Sequence, residues 1–241
     1  MKWVCLHGLG STKHYFKELQ QLLPNEDIEA YDLPGHGEEE ALADFTMEEL
    51  VAWLHHKVTE PVMLVGHSLG AIICLAYAQR FPKNAAHLVL LDGGYLQSAD
   101  FGVSLEQEIE GARQFIAQMQ FPTFEAAVEA EKEEALRWND VLEEAVFQRF
   151  HHTDGHVQLK VSEKTAVAYT KISYQFKLPA LMQPITLFIA TQPIEAEQVR
   201  QKAMQRFMTT LPQTNCIRVD TGHDVLTENP FDIANQLWEY K

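Results

Sequence analysis

The tightest constraint on the fold lies between residues 62 and 82. The apolar run Val62-Met63-Leu64-Val65 leads into Gly66-His67-Ser68-Leu69-Gly70, and an apolar stretch then continues to Phe81, where Pro82 stops it. A short apolar run bounded by glycine predicts a buried strand, and the longer stretch predicts a helix over 69–81. Only the G-x-S-x-G pentapeptide separates them, so the chain must pass from strand to helix in one sharp turn. Glycines two positions to either side of Ser68 let strand and helix approach closely. Such a turn pushes the Ser68 hydroxyl outward and sets a helix N-terminus, which favours negative charge, behind it.

The same strand-then-helix order recurs at both ends of the chain. Trp3 to Leu6, Ile28 to Leu33 and Leu88 to Leu91 predict further strands, and so do Ile185 to Ala190 and Cys216 to Val219. Tyr15, Phe16, Leu19, Leu22 and Leu23 recur at helical spacing, Thr46-Met47-Glu48-Glu49 has capping-box spacing ahead of Leu50, Val51 and Leu54, and helices are expected over 195–207 and through Ile233, Leu237 and Trp238. Apolar strands alternating with helices imply an α/β fold: an open, mostly parallel sheet of about six strands with helices on both faces. From Glu106 to Glu144 the chain instead carries eleven acidic and three basic residues on a helical pattern. Residues 100–180 are therefore expected to form a helical cap subdomain inserted into a core made of 1–99 and 181–241. Phe115, Met119, Phe121, Phe124 and Trp138 are candidates either for lining a pocket beneath that cap or for its own packing.

The formal net charge of −15 repels phosphate backbones and anionic membranes, which argues against nucleic acid as a partner. No apolar stretch approaches the roughly 20 residues of a membrane span. Cys5, Cys74 and Cys216 sit in apolar runs without metal-type spacing and are expected to be buried free thiols. With no signal-peptide pattern at Trp3-Val4-Cys5-Leu6, they point to a reducing, cytoplasmic setting. His151, His152 and His156 lack accompanying ligands, so no metal is expected, and no dinucleotide or phosphate-loop pattern implies a cofactor. Oligomeric state leaves no mark on the sequence.

Four segments in order carry a resemblance to the α/β-hydrolase family: His7-Gly8-Leu9-Gly10, Asp32-Leu33-Pro34-Gly35-His36-Gly37, the elbow Gly66–Gly70, and Gly222-His223 followed by Glu228-Asn229-Pro230. The resemblance spans nearly the whole chain. It implies Ser68 as nucleophile, His223 as general base, and an oxyanion hole made by the N–H groups of Leu9 and Leu69. It further implies a hydrolase acting on a small acyl substrate such as a carboxylic ester, through an acyl-enzyme intermediate. His7, His14, His36 and His67 fall in loops bordering this region and are expected to be structural or solvated. His55, His56, His151, His152 and His156 are expected at the surface or in the cap.

The third member is less obvious. Most relatives carry an aspartate in the loop after the strand that is Ile185 to Ile189 here, but this chain reads Ala190-Thr191-Gln192-Pro193-Ile194-Glu195. Asp92, after Leu88 to Leu91, is the leading candidate, because some relatives place the acid there and neighbouring strand ends converge on one rim. Glu195 is the alternative, followed by Gln192 or a Ser-His dyad. Two other functions share the scaffold. A MenH-like lyase or C–C bond hydrolase would need pocket arginines, for which the cap offers Arg113, Arg137 and Arg149. A non-catalytic ligand-binding protein would not need the acid at all. A haloalkane dehalogenase would need aspartate at the position of Ser68.

Overall fold

The computed structural model describes residues 1–238, so the last three residues of the expected core segment 181–241 lie outside it. In chain order the first elements are β1 (Trp3–Leu6), α1 (Lys17–Leu22), β2 (Ile28–Tyr31), α2 (Met47–Lys57), β3 (Val62–His67), α3 (Leu69–Arg80) and β4 (Ala85–Leu91). Next come α4 (Leu105–Gln118), β5 (Gln120–Phe121), α5 (Phe124–Glu134), α6 (Asp140–Phe147), β6 (Phe150–Thr153), β7 (His156–Leu159) and α7 (Glu163–Gln175). The chain ends with β8 (Ile185–Ala190), α8 (Glu197–Thr210), β9 (Thr214–Val219), α9 (Val225–Glu228) and α10 (Pro230–Trp238).

Six strands form one sheet in the order β2-β1-β3-β4-β8-β9, and every neighbouring pair is parallel. Alternate side chains feed opposite faces, as strand geometry requires. Val4, Leu6, Leu64, Leu88 and Leu90 pack with Leu50, Leu54, Ile73 and Phe207, under α2, α3 and α8. Trp3, Cys5, Met63, Val65, Val89 and Leu91 pack on the other face with Phe16, Leu19, Ile233 and Leu237. Each such buried aliphatic side chain contributes roughly 1.5–3 kcal/mol relative to exposure. Thr46 caps α2 by accepting from the Glu49 N–H, at 3.2 Å. The three thiols are free, but Cys216 is half-buried rather than buried: β9 is the edge strand, so no further strand covers its outer side.

The strand order reverses beside β1: the chain goes from β1 to β2 on one side, then crosses to β3 on the other. The crevice at the carboxyl ends of β1 and β3 is thus the switch point, where open sheets of this kind bind ligands. The loop at residues 7–10 leaves β1 there, and Ser68 leaves β3 beside it.

Residues between β4 and β8 leave the sheet. They supply four helices, α4 to α7, where a helical cap was expected, and also an antiparallel sheet in the order β5-β7-β6 that helical periodicity does not reveal. A local signal for it exists: Asp154 and Gly155 both have positive φ, 38° and 86°, the pairing that closes a tight β-hairpin. Ala127, Val146, Phe150, Val157, Leu159 and Ala166 form a separate core for this region, and Leu9 packs against both it and the main core.

Candidate active site

Ser68 sits between β3 and α3 with φ 52° and ψ −114°. A non-glycine residue there stores roughly 1–3 kcal/mol of strain, which the surrounding packing must hold. That packing depends on two glycines. A Cβ on Gly70 would lie 2.2 Å from the Leu6 carbonyl oxygen, and one on Gly66 would lie 2.5 Å from the backbone of Ala71. The Ser68 N–H donates to the Leu91 carbonyl at 3.1 Å, tying the turn to β4.

Asp92 follows Leu91, and Leu91 is in register with His67. The acid therefore emerges one strand over at the level of Ser68. It is 8% exposed and fully engaged: Oδ1 accepts from the Tyr95 hydroxyl at 2.9 Å and the Ala190 N–H at 3.0 Å, and Oδ2 accepts from His223 Nδ1 at 2.8 Å. Burial alone would raise its pKa, but the hydrogen bonds and charge of His223, with those from Ala190 and Tyr95, hold it below the usual carboxylate range. For His223 the balance runs the other way. Desolvation disfavours the imidazolium, yet the hydrogen bond and charge of Asp92, with the charges of Asp224 and Glu228, raise its pKa. The bond from Nδ1–H to Asp92 leaves Nε2 as the basic nitrogen.

Glu195 lies on the surface in a 3-10 turn at Ile194–Ala196 and lines neither cavity beside Ser68. The loop before it is organised for another purpose. The buried Arg200 donates to the carbonyl oxygens of Thr191, Gln192 and Pro193, and the Gln192 side chain donates to Asp220.

Three histidines are buried and neutral around the loop at residues 7–10. His7 donates from Nδ1 to the Gly8 carbonyl and accepts the Leu33 N–H at Nε2, and burial lowers its pKa to about 4. His36 accepts the Gly10 N–H at 3.1 Å, and burial holds its pKa well below the usual value. His67 stacks on Tyr15 at 4.5 Å and donates from Nε2 to the His223 carbonyl at 3.0 Å; burial, then the neighbouring His223, lower its pKa to about 4. His7, His36 and His67 are thus structural histidines, of which His67 also lines the larger cavity described next; His14 lines neither cavity.

Ser68, His223 and Leu9 line two cavities. One, of about 450 Å³, runs beneath α4–α6 past Phe115, Met119 and Trp138. The other, of about 230 Å³, lies on the Leu69 and Asp92 side under α7. Phe121 and Phe124 belong to the insertion's own core, where Phe121 meets Phe150 edge-on and Phe124 stacks on Phe147. The arginines of the insertion are all paired. Arg137 forms a two-pronged bridge to Glu18 and donates to the Thr227 carbonyl. Arg149 binds Glu131 and the Gly10 carbonyl, and Arg113 meets Glu110 and Glu163. Among the described residues, no cluster of three or more His, Cys, Asp or Glu side chains could hold a metal ion.

Against known proteins, residues 3–236 match the family described as the alpha/beta hydrolase family. The chain is 28% identical over 166 residues to a Haemophilus influenzae protein named as a 2-succinyl-6-hydroxy-2,4-cyclohexadiene-1-carboxylate synthase; the match covers 67% of this chain and 62% of that one. It is 33% identical over 86 residues to a Neisseria meningitidis pimeloyl-[acyl-carrier protein] methyl ester esterase, covering 35% of this chain and 34% of the relative. The matched segments thus span between a third and three-fifths of these relatives. In three dimensions the chain superimposes on an E-2-(acetamidomethylene)succinate hydrolase with a TM-score of 0.82 at 15% identity, covering 99% of this chain and 90% of the other.

Proposed function

The chain belongs to the α/β-hydrolase family, and from that premise we propose that it is a serine hydrolase cleaving a carboxylic ester or similar small acyl substrate. The observation that carries this reading is a strained Ser68 sharing two cavities with His223, whose Nδ1–H is held 2.8 Å from an ionised, buried Asp92.

In the proposed mechanism His223 Nε2 takes the Ser68 proton as Oγ attacks the acyl carbon. Asp92 stays ionised, fixes the tautomer and stabilises the imidazolium. The developing oxyanion lies against the N–H groups of Leu9 and Leu69, each contributing about 3 kcal/mol to the transition state, with the N-terminus of α3 behind them. His223 then protonates the leaving group, and water attacks the acyl-enzyme by the same steps in reverse order. No step calls for a metal or a cofactor. Residues 100–180 act as the cap that shapes both cavities and limits water access. We place the protein in the cytoplasm on the strength of its free thiols. Among the described residues no helix is long and apolar enough to cross a membrane.

The succinyl and succinate compounds in two of the relatives' names make a polycarboxylate substrate, cleaved by lyase or C–C hydrolase chemistry, the second reading. The pairing of Arg113, Arg137 and Arg149 with carboxylates of this chain favours an uncharged acyl substrate instead. A purely ligand-binding role would leave both the strain at Ser68 and the Asp92–His223 pair without a use. The test is hydrolysis of short-chain p-nitrophenyl esters by the wild type and by Ser68→Ala. Loss of at least about a thousandfold in kcat is expected; equal activity in the two proteins would remove Ser68 from the chemistry and the serine-hydrolase reading with it.

A further inference from the structure

In the proposed mechanism the Leu9 N–H meets the developing oxyanion, and a donor of that kind must lie about 2.7–3.1 Å from the place where the charge appears. Leu9 stands between two glycines, and Gly10 has φ 76°. Such a backbone turns freely unless it is tied on both sides of the donor. On the Gly8 side the ties come from the core. The Gly8 carbonyl accepts from His7 Nδ1 at 2.7 Å and from the Ser11 N–H at 3.3 Å, and a Cβ on Gly8 would lie 3.2 Å from that of Ser68.

The Gly10 side is held differently. Its N–H donates to the buried His36 at 3.1 Å, but its carbonyl accepts from Arg149 Nε at 2.9 Å, and Arg149 belongs to the insertion, just ahead of β6. Phe115 of α4 closes over the same glycine: a Cβ on Gly10 would lie 2.9 Å from two of its ring carbons. The Arg149 guanidinium also donates from Nη1 to Glu131 of α5. A planar fork of fixed charge suits two such bonds at once. An ion pair with Glu131 alone would not need the Nε bond, which ends on the backbone of the oxyanion loop.

Resting on the serine-hydrolase reading, we infer that Arg149 is a positioning residue for the reaction: its Nε–H bond to the Gly10 carbonyl holds the Leu9 N–H where the oxyanion forms. The insertion then does more than shape the two cavities. It completes the oxyanion hole, and Arg149 is occupied by backbone rather than by substrate.

The test uses side-chain length. The amide nitrogen of glutamine stands at the same place along the side chain as arginine Nε, so Arg149→Gln keeps the donor and drops the guanidinium. Arg149→Met keeps the stem and drops both. Each is made in protein already carrying Glu131→Gln, so that no variant strands a carboxylate. Hydrolysis of a p-nitrophenyl ester is then referred to the Ser68 sites that a fluorophosphonate labels to completion. Relative to Glu131→Gln alone, Arg149→Met is expected to lose at least about tenfold in kcat with KM within about twofold, the mark of an interaction made in the transition state. Inhibition by a short alkyl trifluoromethyl ketone should weaken by the same factor, because its adduct with Ser68 Oγ carries the oxyanion. Arg149→Gln should stay within about threefold in both measurements.

Equal losses in Arg149→Met and Arg149→Gln would trace the effect to the guanidinium and its ion pair. A raised KM at unchanged kcat would trace it to contact with substrate. Either result, or an unchanged kcat in Arg149→Met, overturns the inference; Arg149→Leu stands in if Arg149→Met does not fold. Failure of the serine-hydrolase reading looks different, since Ser68→Ala would then hydrolyse the ester as fast as the wild type. If no ester is turned over, the rate at which the fluorophosphonate phosphonylates Ser68, with fluoride leaving, replaces kcat in the same comparison.

Discussion

Replacing Asp92 by asparagine changes one oxygen to an amide nitrogen, and the structure dictates which one. The Oδ1 position faces the Tyr95 hydroxyl and the Ala190 N–H, and the Ala190 N–H, a backbone donor in β8, cannot turn away. The amide oxygen must therefore stay at that position, and the NH2 group must face His223 Nδ1, where Oδ2 now accepts at 2.8 Å. Two donors cannot share that contact. His223 responds by moving its proton to Nε2, which leaves no lone pair toward Ser68. The base is lost while the fold and both cavities are kept. Loss of the correct tautomer at a triad of this kind costs about 10⁴ in kcat, or roughly 5 kcal/mol of transition-state stabilisation at 1.36 kcal/mol per decade. KM should change little, since Asp92 sits behind the base. The pH profile provides a second readout. Activity needs neutral His223, so kcat/KM falls as pH drops through its raised pKa. With the Asp92 charge gone, the residual activity should hold to lower pH. The assay is ester hydrolysis from pH 5 to 9, with Glu195→Gln as a control expected to match wild type. If Asp92→Asn keeps near-normal kcat, or if Glu195→Gln is the crippled variant, the reasoning fails.

Gly70→Ala drives a methyl to 2.2 Å from the Leu6 carbonyl oxygen; a loss of about 3 kcal/mol or more in stability is expected, read by urea unfolding, and an unchanged midpoint would mean the elbow is not tightly packed. Arg137→Met strands Glu18, which is 12% exposed and holds the insertion to α1; about 2–3 kcal/mol should be lost, with KM rising more than kcat falls if the insertion shapes the larger cavity. Stability itself should depend on pH. His7 and His67 have folded pKa values of about 4 against 6.5 when unfolded, and His36 is also depressed, so the unfolded chain binds more protons between those values. Their contribution is complete above about pH 7 and is lost as pH falls toward 4, so a Tm flat from pH 7 to 4.5 would contradict their buried, neutral state.

Much of this molecule was legible from local pattern. The apolar runs at 3–6, 62–65, 88–91 and 185–190 lie within strands of one parallel sheet, and the spacing around Ser68 announced a turn that only close-approaching glycines permit. These features are local because they depend on what one strand, one turn and one helix can do together. Helical periodicity hid the β5-β7-β6 sheet, since Asp154-Gly155 signals a hairpin only to a reader expecting strands there. The partner of His223 was beyond the reach of any local pattern. Asp92 and Glu195 both follow strands; the resemblance put Asp92 first and Glu195 second, but nothing in the local sequence of either shows which one reaches His223. The choice depends on which strand end lies at the right height beside β3, and on the Ala190 N–H and Tyr95 hydroxyl that fix the carboxylate from the far side. The two residues of that hydrogen bond stand 131 positions apart. Sequence by itself therefore determined the strand-to-helix scaffold and the residues that local geometry exposes. Only the tertiary structure decided which acid meets His223 and how the space around Ser68 divides into two cavities, because those are properties of strand order and packing between distant segments.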